Sequence, residues 1–248
     1  MRTFPFSKCI FGSLGMCHLE DIRAKIQAVP DIDSALRGVL NRSEPLQDQD
    51  VPVFWLALLL YGPDPFLYNV LADYDWRHGD YAASCVKLEL SYGLDPTNLT
   101  TLVNLAATYK DLDMLDSSLR LAKEALEISP DDVPANYLYA TTHINLAQKA
   151  KVTKSNKLQH YVEAEIGLTR VERQDCEYRD TTFWLGYVLF HQKKYEAAKR
   201  YLEKALLLNP GDERPYYLMV VSCRKTFDWK NWLRTIRRAA RGGHLWHN

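Results

Sequence analysis

The sequence predicts an all-α protein, a right-handed superhelix of antiparallel helix pairs that follows a helical N-terminal segment. Prolines recur with a period of 34 residues: Pro96 and Pro130 are 34 residues apart, and Pro130 and Pro210 are 80 apart, which is two periods plus 12. Small residues recur in register with these prolines. A fixed period of this length indicates stacked copies of one supersecondary unit.

The stretch from Thr182 to Pro210 defines the unit most clearly. Gly186 lies in its first predicted helix, where the lack of a side chain allows a second helix to approach closely. Ala198 and Ala205 are seven residues apart and share one face of the second predicted helix. Pro210 ends that helix, because proline has no amide hydrogen and disfavours helical backbone in the residue before it. The stretch therefore predicts a helix hairpin.

Placing each proline at position 32 of its unit divides the chain into a helical N-terminal cap and five repeats. The cap covers 1–64, and the repeats cover 65–98, 99–132, 133–178, 179–212 and 213–246. Positions 8, 20 and 27 of the first four repeats are then mostly small. These residues are Ala72, Ser84, Ser91, Ala106, Ser118, Ala125, Ala140, Ala164, Val171, Gly186, Ala198 and Ala205. We expect them at the tight helix crossings.

The third repeat carries an insertion of 12 residues around Ala147–Lys157, a segment with four lysines. The insertion forms either a long loop or an extension of the paired helices. It has no apolar period, so we expect it to contribute little to folding. The same repeat has Cys176 where a proline is expected.

The fifth repeat places Val220 and Trp232 where small residues belong, so its helices should pack further apart. Terminal repeats are often atypical because they cap the stack. We expect Trp229 and Trp232 to cover the last part of the core. In the N-terminal cap, Ile32 to Leu40 has helical apolar spacing, and the uniformly apolar run Val53–Tyr61 predicts a buried helix.

Composition favours an ordinary intracellular protein, cytoplasmic by default. Apolar residues make up 47% of the chain, charged residues 25%, and the formal net charge is zero. The five cysteines are scattered without a CxxC pair, which argues against a disulfide framework or a zinc site. Residues 1–18 have two basic residues and no acid, as mitochondrial presequences do, although Pro5 fits that class poorly. A mitochondrial location therefore stays open.

The period and the small-residue register resemble the tetratricopeptide repeat (TPR) family over roughly residues 65–246. The resemblance implies an α-solenoid and a non-catalytic scaffold whose concave groove binds a peptide or a helix. In that family, positions 2, 5, 9, 12 and 13 of the first helices line the groove. The carboxylate clamp of the chaperone-binding members is not matched here: only Asn104 fits the pattern, and Asp73 would repel a carboxylate.

Groove positions in the third to fifth repeats are rich in aromatic residues, which suit binding hot spots. The candidate partner-binding residues are Tyr137, Thr141, Phe183, Tyr187, Tyr217, Val221 and Arg224. Each ring could instead be packed in the core, and the sequence does not decide between the two.

The C-terminal end is basic and offers a second hypothesis. Arg234, Arg237, Arg238 and Arg241 are spaced to form one stripe on a helix, which suits an anionic partner such as nucleic acid in a nucleic-acid-associated subunit. A solvated capping helix explains the same stripe. No enzyme motif is present, no cofactor is implied, and His244 and His247 alone do not make a metal site.

Overall fold

Helices account for nearly all of the chain that the computed structural model describes, residues 32–42, 44–149, 153–175 and 177–241. Twelve α-helices and no strand occur in these residues. The helices are α1 (Ile32–Leu40), α2 (Val51–Tyr61), α3 (Pro65–Arg77), α4 (Tyr81–Leu94), α5 (Leu99–Asp111), α6 (Leu115–Ile128), α7 (Val133–Gln148), α8 (Lys154–Gln174), α9 (Thr181–His191), α10 (Tyr195–Leu208), α11 (Arg214–Lys225) and α12 (Trp229–Arg241). The predicted all-α class is confirmed.

The chain forms two compact units, one up to Thr101 and one from Leu102 onward. In the first unit, α2 packs on α1 and on α3, and α3 pairs with α4. In the second unit, each helix from α6 to α12 packs on the next, and α9 also contacts α11. Short turns between successive helices make the pairs antiparallel. The division into a cap and five repeats at the boundaries given above stays a prediction.

The small residues predicted at helix crossings are all buried. Eleven of the twelve are at most 5% exposed, and Gly186 is buried as well. A Cβ atom added to Gly186 would lie 2.7 Å from Cγ of Leu202 and 3.3 Å from its backbone nitrogen. Gly167 of α8, which the repeat register does not pick out, is equally close to α7, since its added Cβ would lie 2.9 Å from the carbonyl oxygen of Asn136. Tight crossings therefore hold the α7–α8 and α9–α10 pairs together.

Four of the hairpin turns share one backbone conformation at position 15 of the predicted repeat. The residues there have φ between +56° and +80° and are Gly79, Asp113, Lys193 and Phe227. In each turn, the next amide donates a hydrogen bond to a carbonyl five residues earlier, as in the 2.9 Å bond from Lys194 to Leu189. This is the Schellman ending of a helix, which normally uses glycine because L-residues resist this φ. Three of the four positions lack glycine, so the sequence gives no sign of the motif there.

The insertion of the third repeat lengthens both paired helices, which resolves the alternative left open above. α7 has 16 residues and α8 has 21, whereas α6 and α10 have 14 each. Ala147 is fully buried, and it joins Tyr161 in one apolar cluster. Ala147 is therefore part of the core, and the expectation that the rest of the inserted segment adds little to folding stays a prediction. Residues 150–152 and Cys176 lie outside the described part.

Two expectations about the ends of the chain need correction. α2 is not buried all round: Phe54 and Ala57 are fully buried, but Leu59 is 66% exposed, because α1 and α3 do not cover that side of the helix. Near the C-terminus, Trp232 packs on the apolar cluster as expected, whereas Trp229 is 52% exposed and covers little of it. Residues 1–31 lie outside the described part.

A pair of histidines joins the long helices α7 and α8. Nδ1 of His143 lies 2.9 Å from Nδ1 of His160, and the Nε2 atom of His143 is buried without a hydrogen-bond partner among the described residues. Burial, with smaller effects of His160 and Lys123, lowers the pKa of His143 to about 4. The pKa of His160 is lowered as well, mainly by burial.

We predict that Gly186→Leu lowers the free energy of unfolding by about 1–3 kcal/mol, because the new side chain overpacks the contact with Leu202. Urea unfolding followed by circular dichroism measures the change. Gly93→Leu is the matched control, since nothing lies within 4 Å of a Cβ atom at Gly93 in α4. Equal midpoints for Gly186→Leu and the wild type would show that the crossing is not tight.

We also predict that acidification from pH 6.5 to 4.5 destabilises the fold through His143. An unfolded histidine takes up a proton near pH 6.5, whereas buried His143 stays neutral until about pH 4, so the unfolded state gains protons first. The loss should be about 2 kcal/mol over this range. Urea unfolding at several pH values should show a shallower dependence for His143→Gln, and parallel curves would contradict the prediction.

Candidate functional site

An exposed stripe runs along α11. It consists of Arg214, Tyr217, Val221 and Arg224, spaced i, i+3, i+7 and i+10, and we call it the α11 stripe. The opposite side of the helix is buried through residues such as Tyr216 and Cys223. Tyr217 is 57% exposed, and the stripe therefore places one aromatic ring between two cationic side chains.

A second stripe follows α9. It consists of Asp180, immediately before the helix, and Trp184, Tyr187 and His191, and we call it the α9 stripe. The rings of Trp184 and Tyr187 are half-buried and that of His191 is exposed. The three rings are in contact: the centroids of Trp184 and Tyr187 are 5.5 Å apart, and those of Tyr187 and His191 are 4.4 Å apart. Since α9 packs on α11, the two stripes form one surface, hereafter the α9–α11 surface.

Arg214 and Asp180 connect the two stripes to α7. Nη1 of Arg214 donates to Oδ2 of Asp180 at 2.9 Å, and the guanidinium also bonds Asp212 and lies 4.2 Å from the ring centroid of Phe183. The other oxygen of Asp180 accepts the hydroxyl hydrogen of Tyr137, on α7. Burial and this hydrogen bond raise the pKa of Tyr137. A continuous polar chain therefore fixes the starts of α9 and α11 against α7.

The structure separates the predicted aromatic residues into supporting and exposed ones. Phe183 is 5% exposed and packs in the core, and Thr141 is buried with its hydroxyl bonded to the carbonyl of Tyr137 at 3.0 Å. Tyr187 is half-buried, and its hydroxyl accepts a hydrogen bond from Gln148 at 3.0 Å. Tyr217, Val221 and Arg224 lie together on the α11 stripe.

The predicted basic stripe is only partly available on α12. Arg234 is exposed, with Nη1 4.0 Å from Glu203, and Arg237 is exposed as well. Arg238 is half-buried, and its Nη2 donates to the carbonyl oxygen of Leu206 at 3.1 Å. One of the predicted phosphate contacts is thus used in packing. Arg241 ends α12, and its side chain lies outside the described part.

No metal cluster and no membrane span emerge from the described residues. They contain no group of three or more His, Cys, Asp or Glu side chains placed to hold a metal ion, and none of their helices has the length and apolarity needed to cross a bilayer. Cys85 and Cys223 are buried and form no disulfide, and burial raises the pKa of the Cys85 thiol to about 12. His244 and His247 lie outside the described part.

Two segments of the chain match family models for the tetratricopeptide repeat. The matches cover residues 98–129 and 180–212, which overlap the predicted second and fourth repeats. The chain therefore contains tetratricopeptide repeats in these two segments. The second match includes the whole α9 stripe, so half of the α9–α11 surface lies on a recognised TPR unit. No curated protein matches the chain in sequence.

Solved structures of TPR proteins resemble this one in fold. A crystal structure of MamA protein has a TM-score of 0.60 at 18% identity, covering 72% of this chain and 91% of MamA. MamA 41-end from Desulfovibrio magneticus RS-1 has a TM-score of 0.60 at 13% identity and covers 73% and 94%. YrrB, described as a TPR protein with an unusual peptide-binding site, has a TM-score of 0.63 at 15% identity and covers 76% and 91%. At sequence identities this low, the comparison shows similarity of fold alone and does not indicate a shared function.

Arg214 and Asp180 were missed by the sequence analysis. Both stand at position 2 of their predicted repeats, one of the positions that line the groove in the TPR family. An arginine and an aspartate at equivalent positions of consecutive repeats could have suggested an ion pair between neighbouring first helices.

We predict that Arg214→Lys lowers the free energy of unfolding by about 1 kcal/mol. Lysine cannot bond Asp212 and Asp180 together in this planar geometry and stacks poorly on Phe183. Thermal unfolding measures the effect, and Arg224→Lys, an exposed change on the same stripe, is the control. Equal losses in both variants would show that the bridge to Asp180 adds no stability.

Proposed function

We propose that this TPR protein is a non-catalytic interaction scaffold, and that its α9–α11 surface binds a peptide or a helix of a partner protein. The observation that carries the proposal is the α11 stripe, where Tyr217 is largely exposed between Arg214 and Arg224. Tyrosine gives a large contact area at a low cost in side-chain entropy, and its hydroxyl remains compatible with water.

The surface around Tyr217 supports this proposal. Half-buried rings of the α9 stripe continue the aromatic surface, and the core and the polar chain through Asp180 hold those rings in place. Rigid aromatic groups lose little freedom on binding, so they favour affinity. We assign Tyr187, Tyr217, Val221 and Arg224 to partner contact, and Tyr137, Thr141 and Phe183 to support of the surface. The peptide-binding site named for YrrB agrees with such a role.

The second candidate, a nucleic-acid-associated subunit that uses α12, has weaker support. Within the predicted stripe, Arg238 already bonds a backbone carbonyl and Arg234 lies 4.0 Å from Glu203, so two of its cations are partly engaged within the protein. We therefore place the partner on the α9–α11 surface.

Capture of partners from native lysate, followed by affinity measurement with the protein captured, tests the proposal. Tyr217→Ala should weaken binding by about 2 kcal/mol, roughly 30-fold, because it removes a central anchor. Circular dichroism should show an unchanged fold, since the side chain is exposed.

Leu207→Ala is the matched control. Leu207 is 67% exposed on α10, a second helix of its pair, outside the α9–α11 surface. Both variants should fold alike, and only Tyr217→Ala should lose the partner. If Tyr217→Ala and Tyr187→Ala both bind every partner as the wild type does, the surface is not the binding site.

A further inference from the structure

A row of exposed apolar side chains runs along α8 in the second unit. Leu158, Val162 and Ile166 are spaced i, i+4 and i+8, are 50%, 41% and 46% exposed, and together are called the α8 face. In the predicted register, the last two align with exposed charged residues of the neighbouring second helices, which are Asp116 and Arg120 of α6 and Glu196 and Arg200 of α10. The repeat fold therefore does not require apolar residues at these positions.

Uncompensated positive charge lies at both ends of the α8 face. The three glutamates of α8 are engaged within the protein: one accepts the hydroxyl hydrogen of Tyr139 at 2.9 Å, and the other two pair with lysines of the next hairpin. Lys154 near the start of the helix, and Arg170 and Arg173 near its end, are exposed and form no ion pair with any described residue. A segment that packs on the α8 face is therefore favoured if it brings acidic residues.

A second exposed apolar row lies on α2 in the first unit. Pro52, Trp55 and Leu59 are spaced i, i+3 and i+7, and we call them the α2 face. Trp55 is 41% exposed and Leu59 is 66% exposed. Nζ of Lys87 lies 5.6 Å from the ring centroid of Trp55 and restrains the ring, while the charge of Lys87 is compensated by Asp75. The α2 face thus presents a large ring without adding a free cation.

The segment before α2 is acidic. Glu44 and Asp48 are exposed, and the one base between residues 41 and 50, Arg42, is paired with Asp50 at 2.8 Å. Asp48 accepts the hydroxyl hydrogen of Tyr74 at 2.8 Å, a contact that leaves its charge in place. Glu44 forms no ion pair within the described ranges. The α2 face therefore has the charge that the α8 face lacks.

We propose that this protein associates with itself, and that the α2 face of one copy packs on the α8 face of a second copy. At 1.5 Å per residue, both rows are roughly 10–12 Å long, so their apolar side chains can cover each other. When the two helices run antiparallel, the acidic segment before α2 lies beside Arg170 and Arg173. Two α8 faces would instead bring bases together in an antiparallel pair, which disfavours contact between identical faces.

A contact between two different faces is heterologous. Each added copy leaves one α2 face and one α8 face unoccupied, so association continues beyond the dimer unless a ring closes. Neither face contains a residue of the α9–α11 surface. An assembly would therefore present several α9–α11 surfaces at once and would strengthen the binding of a multivalent partner. The inference goes beyond the proposed function and does not depend on it.

Sedimentation velocity of the full chain tests the proposal. One helix packed on another is a small interface, so the wild type should associate progressively over the range from about 1 to 100 μM. Leu59→Asp and Val162→Asp should each weaken association by about tenfold or more, because each places a charge at the centre of one face. Leu207→Asp is the matched control, since Leu207 is 67% exposed on α10 and belongs to neither face. Circular dichroism should show the same fold for all three variants.

Mixing the variants separates a heterologous contact from contact between identical faces. Leu59→Asp retains an intact α8 face, and Val162→Asp retains an intact α2 face. An equimolar mixture should therefore form a 1:1 dimer and no larger species.

Charge reversal provides a second test that leaves the apolar rows unchanged. The double variant Arg170→Glu, Arg173→Glu should associate about tenfold more weakly than the wild type. The double variant Glu44→Lys, Asp48→Lys should behave likewise, and association should return when the two double variants are mixed.

Several results would overturn the proposal. These are a wild type that stays monomeric at the highest concentration, and association that survives either Leu59→Asp or Val162→Asp unchanged. If both variants lose association but their mixture forms no dimer, the contact does not join the α2 face to the α8 face. None of these results bears on the α9–α11 surface, which is tested separately by partner binding to Tyr217→Ala.

Discussion

The close approach of paired helices is the constraint on which the rest of this structure depends. At the crossing of α9 and α10, Gly186 leaves no room for even one added carbon beside Leu202. Because the helices are this close, one side of the first helix of each pair is buried against the second helix and against the next repeat. The remaining side faces outward, and it carries the two stripes that make the α9–α11 surface. The position of the candidate site is therefore a consequence of packing between small residues.

Polar contacts also join the helices, in addition to that packing. The chain from Tyr137 through Asp180 to Arg214 joins three consecutive first helices by one phenol, one carboxylate and one guanidinium. Because Arg214 also lies on the ring of Phe183, the apolar core and the polar chain support the same side chains. The exposed ring of Tyr217 is consequently carried by a helix whose start is fixed in several directions.

The sequence predicts the helix pairs well, because the small residues that are buried at each helix crossing recur at a fixed spacing within one segment of the chain. Ala198 and Gly186 can be recognised from their period alone. The surface is less predictable: Phe183 occupies a groove position but lies in the core, and Arg214 matters through contacts with residues up to 34 positions away. The left-handed backbone conformation of Lys193 cannot be predicted from the sequence for a different reason. Hydrogen bonds of the turn impose this conformation on a residue type that does not prefer it. Contacts between repeats decide these features, and residue spacing does not encode them.

The hairpin of α7 and α8 is longer than the other helix pairs, which distinguishes one repeat from the rest. In a row of equal repeats, a ligand that shifts by one repeat contacts nearly the same surface as before. α8 exceeds α10 by seven residues, about 10 Å of extra helix. The repeat that contains α7 and α8 therefore differs from its neighbours. A long ligand that contacted this repeat would bind in a single register along the stack.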